Sequence, residues 1–130
     1  MTTPVLQQNL IGRIRRELPR LAAHEVCELA RVVERLAEAF QPERIYVFGA
    51  QARGEATPDS DIDLLIVAAQ ANEPAHRLAQ AAYRIATPHS LALDLVVIPL
   101  DEFERRSRAL ASLPATVLRE GRVLYAACRA

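Results

Sequence analysis

The stretch from Tyr46 to Leu64, YVFGAQARGEATPDSDIDL, constrains this chain more than any other. An apolar, aromatic strand runs into Gly49, the helix-forming run Ala50-Gln51-Ala52-Arg53 follows, and Gly54 closes it. After the Thr57-Pro58 turn a second strand begins, carrying Asp61 and Asp63. Strand side chains alternate between faces, so these two acids are expected on one side, where two carboxylates can share a divalent cation. The first amides of a helix have no partner within it and favour an anion, and a glycine at the strand-to-helix junction lets that anion come close. Gly49 and Ala50 are therefore candidate nucleotide-phosphate contacts. Arg53 is a further candidate, although an ion pair with Glu55 suits it equally, and Ser60 reads first as a turn residue and second as a nucleotide contact.

The flanking sequence supplies helices and two more strands. Leu6, Leu10, Ile14 and Leu18 recur at fourfold spacing and predict a helix that Pro19 stops. From Ala22 to Phe40 an apolar stripe of Val26, Leu29, Ala30, Val33, Leu36, Ala37 and Phe40 lies opposite Glu28, Arg31, Glu34 and Arg35. Arg44 to Phe48 is a short strand. Asp61 to Ala68 and Leu91 to Pro99 are apolar on both faces apart from their aspartates, the pattern of central strands covered by helices. Between them Ala75, Leu78, Ala79, Ala82 and Ile85 form a helix stripe introduced by Pro74 and closed near Pro88, which should cross one sheet face. Asp101 with Glu104 resembles an acidic capping box for a helix from Glu102 to Ala111. A last helix from Pro114 to Gly121 precedes a strand from Arg122 to Tyr125. The expected architecture is an α/β or α+β sandwich of sheet and helices. It is expected as a single domain over residues 1–130, with helices of residues 5–40 packed on a core of residues 43–126.

Composition narrows the function classes. At 130 residues and 51% hydrophobic the chain can bury one real core. Its 16 basic residues, all arginine, are cancelled by 16 acidic ones, so no global positive field suggests direct nucleic-acid or membrane-surface binding. The arginine clusters Arg13-Ile14-Arg15-Arg16 and Arg105-Arg106-Ser107-Arg108 read as solvated helix faces. Cys27 and Cys128 lack metal-ligand spacing and are expected to be reduced structural thiols; His24, His76 and His89 are scattered and expected at the surface. With no basic-then-apolar leader pattern and no run near the roughly 20 apolar residues that span a bilayer, a cytoplasmic location is expected.

Asp94, the single acid in the run from Leu91 to Pro99, can stand beside Asp61 and Asp63. Three carboxylates on one sheet would repel unless a cation joined them, and hard oxygen ligands suit Mg²⁺ or Mn²⁺ bridging a triphosphate. That pattern predicts nucleotidyl transfer, with Asp61, Asp63 and Asp94 as metal ligands and Asp94 also the general base.

Gly49-Ala50, Arg53-Gly54-Glu55 and Ser60-Asp61-Ile62-Asp63-Leu64 together resemble the Gly-Ser…Asp-x-Asp signature of the DNA polymerase beta-like nucleotidyltransferase superfamily. Within it, the size and the Ala-Arg-Gly-Glu wording are similar to the minimal nucleotidyltransferases, a group that includes antitoxins paired with HEPN-domain toxins. The resemblance implies the nucleotidyltransferase fold, α/β (α+β) with a mixed sheet flanked by helices, and transfer of AMP from ATP, with Mg²⁺ or Mn²⁺, to a HEPN-type toxin. One position departs from the signature: the serine that contacts phosphate is Ala50 here. A hydrogen bond to a charged group is worth roughly 1.5–3 kcal/mol, so its loss weakens nucleotide binding by about ten- to a hundredfold. Two further readings stay open on these residues: an antitoxin of the same fold that is catalytically weak or inactive and works by binding its partner, and an orphan transferase for small hydroxyl compounds. Nucleotide preference, acceptor and oligomeric state, homo- or hetero-, are not fixed by these patterns.

Overall fold

The computed structural model describes residues 4–70 and 73–127. Cys128 lies outside them, as does the side chain of Leu6. The elements run α1(Pro4–Glu17), α2(Ala23–Phe40), β1(Arg44–Phe48), α3(Gly49–Arg53), β2(Ile62–Ala68), α4(Ala75–Ala86), β3(Leu93–Pro99), α5(Leu100–Arg106), α6(Leu113–Glu120) and β4(Arg122–Ala126). The strands form one four-stranded sheet in the order β3-β2-β1-β4. β2 and β3 are parallel, joined through α4, while β1 pairs antiparallel with both β2 and β4. The result is the expected α+β domain with a mixed sheet.

Period-two alternation divides the sheet's apolar residues between two layers of helices. Ile45, Val47, Leu64, Ile66, Leu95 and Val97 face α1, α2 and α4, where Leu10, Ile14, Leu29, Val33, Leu36 and Ala82 complete the larger core. Tyr46, Leu65, Val67 and Ile98 face the other way, against Phe103 of α5 and Val117 of α6. Tyr46 and Phe103 stack with ring centroids 5.9 Å apart. β2 thus lies covered on both faces, as its continuous apolar run anticipates.

Five expectations need correction. β3 is an edge strand, not a central one, because β4 returns beside β1 and leaves β3 without an outer neighbour. Glu34, assigned to the solvated side of α2, is only 3% exposed. α1 crosses that side of α2, and Gln7 Nε2 donates to Glu34 Oε1 at 2.5 Å; helical periodicity identifies the side facing the sheet but not a second side covered by another helix. The Asp101 capping box does not form. β3 passes straight into α5 through an extended Pro99 at the N-cap, and Asp101 Oδ1 accepts from the Glu102 amide at 2.8 Å. The helix ends at Arg106 rather than Ala111: Ser112 donates to the Arg106 carbonyl and accepts from the Ala115 amide, ending one helix and capping the next. Finally, His89 is half-buried, and its Nδ1 is buried without a hydrogen-bond partner among the described residues. Cys27 is a free thiol, and among the described residues no helix is long and apolar enough to cross a membrane.

Candidate active site

Because β1 runs against β2 while β3 runs with it, the end of β1 meets the beginnings of β2 and β3. Phe48 is registered opposite Asp63, and Asp63 opposite Asp94. By alternation this row shares a face with Tyr46, Leu65 and Val67, on the side of α5 and α6. Two of the three expected carboxylates are therefore adjacent across the parallel pair. Asp61 stands one residue before β2 and is exposed.

Gly49 is dictated twice over. Its φ is 71°, in the left-handed region, as the extended chain of β1 turns into the single turn of α3. A Cβ built there would lie 2.3 Å from Asp63 Oδ2, so any side chain would displace the carboxylate. Gly54, with φ 73°, ends α3 by donating its amide to the carbonyls of Ala50 and Gln51, and open space surrounds the position of its missing Cβ.

Asp63 is half-buried, and its pKa is raised, first by desolvation and then by the charges of Asp94 and Asp61; Arg53 opposes the shift. The three acids thus share an electrostatic neighbourhood. They do not form a closed cage: among the described residues, no three His, Cys, Asp or Glu side chains stand close enough to hold a metal ion. Asp94 is exposed, and its Oδ1 accepts from the Tyr83 hydroxyl at 3.3 Å. That hydroxyl also accepts from the Leu95 amide at 2.9 Å. Sequence reasoning had no means of finding Tyr83, since only the crossover from β2 through α4 to β3 brings it beside Asp94.

The remaining candidates sit nearby in plainer roles. Arg53 pairs with Glu55 at 2.7 Å and lies 3.8 Å from Glu120; the hydrogen bond to Glu55 is the main cause of its raised pKa. Ser60 closes the turn after α3, its Oγ accepting from the Thr57 amide at 2.9 Å. Ala50 is half-buried in the first turn of α3 and brings no hydroxyl. A cleft of about 520 Å³ opens on the other side of this loop, lined by Arg20, His24, Gln51, Thr57, Ser60 and Ser90 among others; neither Asp63 nor Asp94 lines it.

A model of the nucleotidyltransferase domain family matches residues 29–123, from the middle of α2 into β4. Among solved structures, a Sulfolobus solfataricus protein provisionally assigned as a nucleotidyltransferase aligns at 22% identity and a TM-score of 0.57, over 91% of this chain and 87% of that one. At that identity the likeness is one of fold. A toxin-antitoxin structure with AMP-PNP aligns at 22% identity and a TM-score of 0.40, over 92% of this chain and 73% of that one. No curated protein gives a significant match.

Proposed function

The chain belongs to the nucleotidyltransferase domain family, and from that premise we propose that it transfers AMP from ATP to a protein acceptor, a HEPN-type toxin whose antitoxin it is. The observation that carries the chemistry is the row of Asp63 and Asp94 in register, with Asp63 Oδ2 seated against Gly49 where no side chain fits. An all-carboxylate set in which burial, and then the charges of Asp94 and Asp61, raise the proton affinity of Asp63 suits Mg²⁺ or Mn²⁺, so the residues present fit a hard divalent cation. Bound cations would neutralise the triphosphate and make the attacking hydroxyl more acidic.

The chain's own residues then have separable tasks. Asp61 and Asp63 hold cation; Asp94 holds cation and takes the proton of the acceptor hydroxyl. A bond forms from that oxygen to the α-phosphorus, the bond from the α-phosphorus to the bridging oxygen breaks, and pyrophosphate leaves with the electron pair. Gly49 keeps the backbone clear for the phosphates, and the Ala50 amide is the donor left where the motif serine is absent. Arg53 reaches phosphate only by leaving Glu55, and Ser60 contributes from the turn. The HEPN-type partner rests on the sequence resemblance from Gly49 to Leu64, and a cytoplasmic setting goes with that reading.

Incubating the protein with α-labelled ATP, Mg²⁺ and the product of the adjacent gene tests the proposal. Label should pass to the partner and be lost when Asp61→Ala and Asp63→Ala are combined. Absence of transfer, or transfer surviving that double change, sinks it. Ala50 and the open arrangement of the three aspartates favour a second reading, an antitoxin that neutralises by binding alone. Under that reading, a variant with all three aspartates replaced neutralises its partner as well as wild type does.

A further inference from the structure

We infer that Tyr83 is a positioning residue for Asp94, holding through one hydroxyl the carboxylate on which the proposed cation site depends; this rests on the metal-binding reading of that site. Tyr83 belongs to α4, whose Leu78, Ala82 and Ala86 are buried, yet Tyr83 itself is 41% exposed. Apolar burial therefore does not explain the residue, and its hydroxyl is engaged twice.

The Leu95 amide points off the free edge of β3, where no strand accepts it, and donates to the Tyr83 oxygen at 2.9 Å. The hydroxyl donates in turn to Asp94 Oδ1 at 3.3 Å. With the amide occupying a lone pair, the phenolic proton is aimed at the carboxylate, and a hydroxyl that accepts one hydrogen bond donates a stronger one. Asp94 lies at an exposed edge, where an unheld carboxylate would sample several rotamers. Fixing Oδ1 leaves Oδ2 for a cation shared with Asp63, registered on the neighbouring strand. Hydrogen-bonded supports of this kind orient metal-ligating carboxylates, and their loss costs about 10–100-fold in metal affinity.

The experiment measures Mn²⁺ binding to the full chain by electron paramagnetic resonance, without nucleotide or partner. Tyr83→Phe keeps the ring and removes a single hydrogen bond from the part-buried Leu95 amide at the sheet edge, so the fold should persist by circular dichroism. The variant is expected to bind Mn²⁺ about tenfold more weakly or worse. In an Asp94→Asn background, the same change should have no further effect, which a merely structural role would not produce. If wild type binds Mn²⁺ and Tyr83→Phe binds it as tightly, or if the effects of Tyr83→Phe and Asp94→Asn simply add, the positioning role is overturned while the cation site stands. If wild type binds no Mn²⁺, the cation site itself falls, and the inference with it.

Discussion

Gly49 and Asp63 show how tightly two single residues bind the fold to its candidate chemistry. Gly49→Ala would force a Cβ into the left-handed region and against Asp63 Oδ2, whereas Gly54→Ala meets only the first difficulty, because space there is open. The expected outcome is a loss of about 1–3 kcal/mol for each in urea denaturation, with nucleotidyl transfer abolished by Gly49→Ala and retained by Gly54→Ala. Equal activity in both variants would show that contact with Asp63 is immaterial. Asp63 carries a pH signature. Its raised pKa means that the folded state binds the proton more tightly than the unfolded chain does, so its favourable contribution is full below the ordinary carboxylate pKa and is lost as pH rises through the raised value. In metal-free protein, Asp63→Asn should therefore raise the melting temperature at about pH 7 and do so progressively less toward about pH 4. A gain independent of pH would exclude, as its cause, relief of the buried charge and of its repulsion by Asp94 and Asp61. The glycine and both strand acids were legible in the sequence because their spacing is local. Their mutual contact was not, because it spans the β1–β2 pairing.

Among the secondary-structure elements, those with strong apolar periodicity were read nearly to the residue, while short elements and their ends depended on neighbours. α2, expected from Ala22 to Phe40, runs Ala23–Phe40, its long stripe fixed by 3.6-residue periodicity. α5 shifted because a proline after an apolar strand and a serine six residues beyond Arg106 set its limits more strongly than Asp101 could. Polar residues on the outer sides of helices also acquired partners that no spacing reveals. Arg35 donates to the carbonyls of Ile85, Ala86 and Pro88, capping the C-terminal end of α4 with a positive charge. Arg35→Met should cost about 1–2 kcal/mol by urea denaturation. Because α4 carries Tyr83, the change should also weaken Mn²⁺ binding. An unchanged urea midpoint would mean that water replaces the guanidinium without loss. The sheet edges are tended in the same way: the Leu95 amide of β3 meets Tyr83, and the Val123 carbonyl of β4 accepts from Arg13 at 3.2 Å. Arg13 and Val123 are distant in sequence, and Tyr83 meets Leu95 only where α4 packs beside the strand that follows it, so neither contact was visible along the chain.

Across the full chain, α1 and α2 sit over one face of the sheet, with Ile14 completely buried among residues from the helices and strands of the larger core. Ile14→Ala should cost about 2–5 kcal/mol. Because Ile14 lies on the face opposite Asp63 and Asp94, Mn²⁺ affinity measured well below the melting temperature should be unchanged; a large drop would show that the two faces are coupled. The pattern of strand, glycine turn and paired aspartates dictated where the strands, the tight turn and the acids fall along the chain, since alternation and turn chemistry act over a few residues and survive in any tertiary setting. The apolar runs likewise specified which segments would be buried. Strand order, the burial of Glu34 behind α1, the edge position of β3 and the hold of Tyr83 on Asp94 depend on how separate elements pack against one another. No local pattern encodes them, because each exists only once the helices have closed on the two faces of the sheet.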